Sequence, residues 1–253
     1  VEDKLRRYAS LERLLGAKAL QRLRHSHVVV VGVGGVGSWA AEALARSAIG
    51  CLTLIDGDHV AESNLNRQVH ALESTLGAAK VQVLAERIAL IDPSTRVHAV
   101  DAMLDAGTVE PMVPPEAIVI DAIDASRVKA ALIALCARRS QAVLSCGAAG
   151  GRTDPQGLHV ADLGLIKGDP LLASVRAHLR RHHGFPKAVR QPMGVLGLHS
   201  AQTSMGAAPV VGHTGAALNC SGYGSSVMVT ASMGMAAAQW ALECALAHSF
   251  DTP

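Results

Sequence analysis

Aromatic side chains are scarce: Phe, Tyr and Trp occur twice each in 253 residues. A core must therefore be built from Ala, Val and Leu, and few rings remain on which nucleic-acid bases could stack. Cysteine is thin too. Cys51, Cys136, Cys146, Cys220 and Cys244 form no Cys-x-x-Cys pair, which counts against a structural zinc site of four cysteines. The odd, scattered set argues for a reducing compartment rather than a disulfide framework. Glu2, Asp3, Lys4, Arg6 and Arg7 precede any apolar stretch, which does not read as a signal peptide. The expectation is a cytoplasmic protein. Internal repeats are missing as well.

A chain of this length can bury a substantial core as one domain. The expected division, within a single domain of 1–253, is a nucleotide-binding core at 11–165 and a C-terminal extension at 166–253. The richest motif is Gly32-Val33-Gly34-Gly35-Val36-Gly37. Before it, His27 to Val31 reads as a buried parallel strand. After it, Ser38 to Ser47 is Ala-rich and reads as a helix. A tight strand-to-helix turn needs Gly where the backbone is strained and where phosphate approaches. The helix N-terminus then offers free N–H groups to an anion. Asp56 closes the next apolar run, Cys51 to Ile55, where an acidic residue holds ribose hydroxyls. The fold class expected is α/β: a Rossmann-like ATP-binding fold, mainly parallel sheet flanked by helices, with a C-terminal strand and helix extension.

Glycines alone suit a dehydrogenase equally well. Arg67, Lys80 and Asp124 do not. Negative charge builds on phosphoryl oxygens as pyrophosphate leaves, and fixed cations in a dry site offset it. Arg forks onto two oxygens, Lys acts as a point charge, and a carboxylate such as Asp124 can hold Mg²⁺ beside phosphates. Each residue also has a bland reading: Arg67 as a surface ion pair, Lys80 as a solvated helix start, Asp124 as the N-cap of a helix at Ser126 to Arg139. Their joint appearance after one glycine loop favours triphosphate chemistry.

The rest of the chain reads coarsely. Leu11 to Leu23 is a helix, and Asp92-Pro93 breaks the chain. Thr95 to Val100, Ile118 to Ile120 and Gln141 to Leu144 are strands, and Pro111 to Glu116 is a loop. A helix follows Leu171, and 184–224 is loop-rich. No acidic residue occurs between Asp169 and Glu243, and the five cations of that stretch are Arg176, Arg180, Arg181, Lys187 and Arg190. Such an arm is an electrostatic footprint for nucleic-acid phosphates, or a solvated helix face followed by a loop. Val227 to Phe250 is strongly apolar. It reads as a buried helix on the sheet or at a dimer interface, with a membrane-touching helix as the second reading. Four cysteines read as small buried hydrophobes. Cys220, in a Ser/Gly-rich loop before the last helix, is the candidate nucleophile.

The string GVGGVGSWAAEALAR, followed by LIDGD, NLNRQ, Lys80 and DAID, resembles the ubiquitin-activating-enzyme-like adenylyltransferases. Within that superfamily NRQVHAL, CGAAGG and Asn219-Cys220-Ser221-Gly222-Tyr223-Gly224 resemble the bacterial tRNA threonylcarbamoyladenosine dehydratases. The resemblance implies that Gly34 and Gly35 line phosphates, Asp56 holds ribose, and Asn64 and Arg67 contact the α- and β-phosphates. Lys80 supports the triphosphate, and Asp124 binds Mg²⁺. Gly32, Gly37, Asp58, Gln68, Asp121 and Ile123 complete the candidate nucleotide-binding set. It further implies a homodimer in which an N-terminal Arg enters the partner's site. Arg7 and Arg13 are the candidates, and Arg13 is preferred. The implied reaction is ATP-dependent dehydration of a tRNA base through carboxylate adenylation, catalysed with Arg67, Lys80, Asp124, Cys220 and Arg13. The alternative acceptor is the C-terminal glycine of a small sulfur-carrier protein, against which the missing zinc cysteines count. Cofactors are ATP and Mg²⁺, with a monovalent cation (Na⁺ or K⁺) left open. Partners are tRNA and a second copy, with a cysteine desulfurase or sulfur-acceptor protein left open.

Overall fold

The computed structural model describes residues 6–188, 190–204 and 223–247. Two short helices, α1 (Ala9–Leu15) and α2 (Ala17–His25), open the chain. The sequence predicts one helix here. Gly16, at φ +88°, divides it, because that left-handed conformation interrupts the helical path and suits glycine.

The nucleotide unit then alternates strand and helix. Its elements are β1 (His27–Val31), α3 (Gly37–Arg46), β2 (Cys51–Ile55), α4 (Lys80–Ile91) and β3 (Arg96–Val100). A short α5 (Val109–Met112) replaces the start of the expected proline-rich loop. Next come β4 (Ile118–Asp121), α6 (Ser126–Arg138) and β5 (Val143–Cys146). The extension supplies β6 (Leu158–Asp162), α7 (Pro170–His182), β7 (Leu196–Ser200) and α8 (Val227–Ala247).

The seven strands lie in the order β3-β2-β1-β4-β5-β7-β6. Every pairing is parallel except β6 with β7. Central parallel strands are covered on both faces, so they are apolar throughout rather than alternating. In β1 the period of two still sorts the faces. Val28 and Val30 join a core with α3, α4 and α8, while Val29 and Val31 join one with α5 and α6. A third cluster packs α6 against α7.

The apolar α8 lies on this sheet rather than apart from it. Its buried face runs through Val229, Met233, Ala237, Ala241 and Ala245. A Cβ on Gly234 would come within 2.6 Å of the Val36 carbonyl oxygen and 2.7 Å of the Trp39 Cβ. Glycine there lets α8 approach α3 backbone to backbone. Among the described residues no helix is long and apolar enough to cross a membrane.

Candidate active site

Strand order reverses direction between β1 and β4, and ligands of open α/β sheets bind in the crevice beyond the strands' carboxyl ends at such a point. A cavity of about 340 Å³ opens there. The turn after β1 is forced by its glycines. Gly32 sits at φ +81°, and a Cβ on Gly37 would collide with the Gly32 carbonyl oxygen. Gly34 has a single neighbour within reach of an added Cβ, the Gln68 Nε2 at 3.9 Å. Its exposed face is open to the cavity, as a phosphate cradle requires.

Asp56, at the end of β2, fixes this loop. One carboxylate oxygen accepts from the Val33 amide at 2.8 Å and the other from the Asp58 amide at 2.9 Å. Burial pushes its carboxyl above the ordinary range, outweighing those amides and Lys80. Lys80, at the start of α4, is 5% exposed. Its ammonium lies 2.8 Å from an Asp58 oxygen. Asn64 ends a 3-10 turn, and its Oδ1 accepts the Ala61 amide at 3.0 Å. Arg67 donates through Nη1 to the Ser63 carbonyl and to Asn66 Oδ1. The Trp39 indole N–H donates to the Arg67 carbonyl at 3.0 Å, which ties this segment to α3. Gln68 Oε1 is buried with no hydrogen-bond partner among the described residues. An unmet acceptor in a cavity wall costs free energy unless a ligand meets it.

The cavity thus gathers Gly32, Gly34, Gly35, Asp56, Asp58, Asn64, Arg67, Gln68, Lys80, Ile123 and Asp124 of the expected set. Asp124 is exposed there, with no protein partner among the described residues. Gly37 lies behind the wall, where it acts by permitting the turn.

Asp121 is placed differently from expectation. Its side chain is fully buried, 2.9 Å from the equally buried Lys129 ammonium at Oδ1. That contact is an ion pair without hydrogen-bond alignment, since Oδ1 has no hydrogen-bond partner. Lys129 instead donates to the carbonyls of Asp121 and Ile123, and Ser145 donates to Asp121 Oδ2. Asp121 lies buried beneath the strand end, outside the cavity lining.

Arg7 is engaged within its own chain, 2.7 Å from the buried Asp92. Arg13 stays exposed on α1, where its one hydrogen bond among the described residues is to Ser10. Cys220 lies outside the described residues. Burial pushes the thiols of Cys136 and Cys146 up to about 12, as expected of inert core cysteines. In the basic arm Arg176 donates to the Leu163 carbonyl, and Arg180 to those of Pro186 and Ala188. These two brace the fold. Arg181, Lys187 and Arg190 are exposed and have no partner among the described residues.

Other parts of the wall carry no signature chemistry. They are Ala102 to Leu104 after β3, Gly147 to Gly150 after β5, and Leu171, Ser225 and Thr230. The rule that ligands sit at strand carboxyl ends pointed to the loops after β3 and β5. Nothing local pointed to Thr230, which arrives from the last helix.

The sheet order, glycine turn and carboxylate on β2 define the class: a nucleotide-binding α/β protein of the Rossmann type. The chain belongs to the ThiF family, whose model matches residues 5–252. It is 42% identical to the tRNA threonylcarbamoyladenosine dehydratase of Escherichia coli K12, covering 96% of this chain and 94% of that one. The Haemophilus influenzae protein of the same name is 39% identical over 92% of this chain and 91% of its own. The Escherichia coli dehydratase solved with ATP superposes with a TM-score of 0.87 at 40% identity, over 98% of this chain and 96% of that one. The Escherichia coli molybdopterin-synthase adenylyltransferase is 34% identical over only 46% of this chain and 47% of its own.

Proposed function

We propose that this chain is an ATP-dependent tRNA threonylcarbamoyladenosine dehydratase that works by adenylating a carboxylate. The observation that carries this reading is the single cavity uniting the glycine turn, Asp56, Arg67, Lys80 and Asp124. Likeness to the named dehydratases along nearly the whole chain supports the tRNA acceptor. The molybdopterin-synthase adenylyltransferase aligns over less than half.

The chemistry follows from leaving groups. A carboxylate oxygen of the threonylcarbamoyl group attacks the α-phosphorus of ATP, and the bond from that phosphorus to the bridging oxygen breaks. Pyrophosphate departs, its growing charge met by Arg67 and Lys80. The resulting mixed anhydride carries AMP, a far better leaving group than oxide. The Cys220 thiolate attacks the activated carbonyl and expels AMP, and a nitrogen of the threonylcarbamoyl-adenosine then closes on the thioester, losing its proton and releasing the thiolate. The base has lost one water overall, its oxygen carried off on AMP.

Asp124 fits a divalent ion. Its carboxylate faces the cavity unpaired, and among the described residues no group of three or more His, Cys, Asp or Glu could form a protein cage. Mg²⁺ commonly takes one or two carboxylates plus phosphate oxygens. Bound there, it would neutralise phosphate charge. Arg13 is assigned to the neighbouring copy's cavity in a homodimer, since Arg7 is held by Asp92. Cys220 is assigned a transient thioester with the acyl group before closure.

The deciding experiment is mass spectrometry of bases from threonylcarbamoyl-modified tRNA, incubated with ATP, with and without the protein. The expected result is loss of one water from the modified base. An unchanged base in a sample whose protein binds ATP would remove the tRNA assignment. Normal cyclisation by Cys220→Ala would make closure direct.

A further inference from the structure

The Gly147–Gly150 wall has no role in the chemistry above. In-line displacement places the attacking oxygen opposite the departing pyrophosphate. Arg67 and Lys80, which meet the pyrophosphate, come from the segment after β2 and the start of α4. In the sheet order β5 lies across β1 and β4 from β2, and the loop after it, Gly147–Gly150, forms the cavity wall on that side.

A buried ion pair braces that wall beside the bond from the Gly147 amide to the Leu198 carbonyl on β7. Asp169 accepts the Ala148 amide at 3.0 Å through Oδ2. Its other oxygen caps α7 by accepting the Leu172 amide at 2.9 Å. Arg152 lies 3.3 Å from Asp169 and donates to the carbonyls of Ser200 and Gly168. Both side chains are fully buried. A Cβ on Gly147 would collide with the Asp169 carboxylate, so the loop is seated closely on the pair. From this point α7 leads away for 13 residues, about 20 Å at 1.5 Å per residue. Its far end carries the exposed Arg181, with Lys187 and Arg190 beyond.

We infer that Gly147–Gly150 is the wall against which the acceptor base seats, and that Arg152 and Asp169 are positioning residues. They hold that wall and the start of α7 in register, so that a base in the cavity and tRNA phosphates on the arm are engaged together. This rests on the dehydratase reading. A tRNA phosphate bound by the arm then lies roughly 20 Å from the reacting carboxylate.

The test uses Asp169→Asn in the full chain, with Arg152→Lys as the charge-preserving second variant should the first fail to fold. Three quantities are read: KM for threonylcarbamoyl-tRNA, kcat, and the Kd for ATP in the absence of tRNA. A positioning role predicts a KM for tRNA raised about tenfold or more, because misplacement by an ångström is costly, with the ATP Kd unchanged. Equal loss of ATP affinity, or an unchanged KM for tRNA in folded protein, would overturn the inference. Failure of wild-type protein to dehydrate the tRNA base would instead remove the reading beneath it.

Discussion

Two fully buried ion pairs flank the cavity, and they are built differently. Lys129 and Asp121 lie eight residues apart in sequence, on α6 and β4. Lys129 donates to two carbonyls at 3.0 and 3.1 Å, and Ser145 meets Asp121 at 2.8 Å. Arg152 and Asp169 are 17 apart, their closest contact is 3.3 Å, and the Arg152 Nε has no partner. Buried pairs stabilise only when their remaining donors and acceptors are met. Each pair leaves one buried atom unmet among the described residues, Asp121 Oδ1 in the first and Arg152 Nε in the second, but the first makes the closer contact, 2.9 Å against 3.3 Å. They differ also in what each carboxylate keeps without its cation among the described residues: Asp169 retains the Ala148 and Leu172 amides, Asp121 only the Ser145 hydroxyl.

The largest effect that sharpens the contrast is on folding. Lys129→Met strands a buried carboxylate and should cost about 3–5 kcal/mol in urea unfolding. Arg152→Met should cost less, and equal losses would break the comparison. Next comes the phosphate side itself. Arg67→Ala or Lys80→Ala should lower tRNA-dependent ATP–pyrophosphate exchange about 100-fold, as removal of one fixed donor does elsewhere. Exchange left intact would end the adenylation assignment.

A smaller effect concerns pH. His70 is 1% exposed, and neither ring nitrogen has a hydrogen-bond partner among the described residues. Burial, then Lys80 and Arg87, push its pKa down from 6.5 to about 4. The unfolded chain therefore takes up a proton the folded one refuses. Stability from this group is full above pH 6.5 and declines as pH falls toward about 4. His70→Gln should flatten that part of a denaturation series, and an unaltered slope would place the sensitivity elsewhere. The smallest effect belongs to the arm. Lys187→Glu with Arg190→Glu should weaken tRNA binding, reduce its salt slope by about two, and leave ATP binding alone.

Much of this was legible in sequence because it is local. The β1 turn, Asp56 and the cations each announce themselves within a few residues. Strands β6 and β7 did not, since LHVAD and LGLHS are short, His-bearing segments that become strands by pairing with each other. Asp121 looked like a ligand because its neighbour Asp124 does. Only the three-dimensional position of Lys129 beneath it reveals that it is buried outside the cavity lining. The acceptor wall lies inside the CGAAGG motif, but its role was not legible, because glycines and alanines carry no side-chain chemistry to read.

The packing of α8 on α3 has a consequence for how the molecule is made. Ala40, Ala41 and Leu44 of α3 share a core with Met233, Ala237 and Ala241 of α8, and Thr230 reaches the cavity wall itself. The helix that begins the phosphate site is thus covered by a segment synthesised almost two hundred residues after it. As the ribosome delivers the chain from its N-terminus, the glycine turn emerges early yet waits almost two hundred residues for its lid. A growing chain should acquire nucleotide affinity late and abruptly, rather than when its motif first appears.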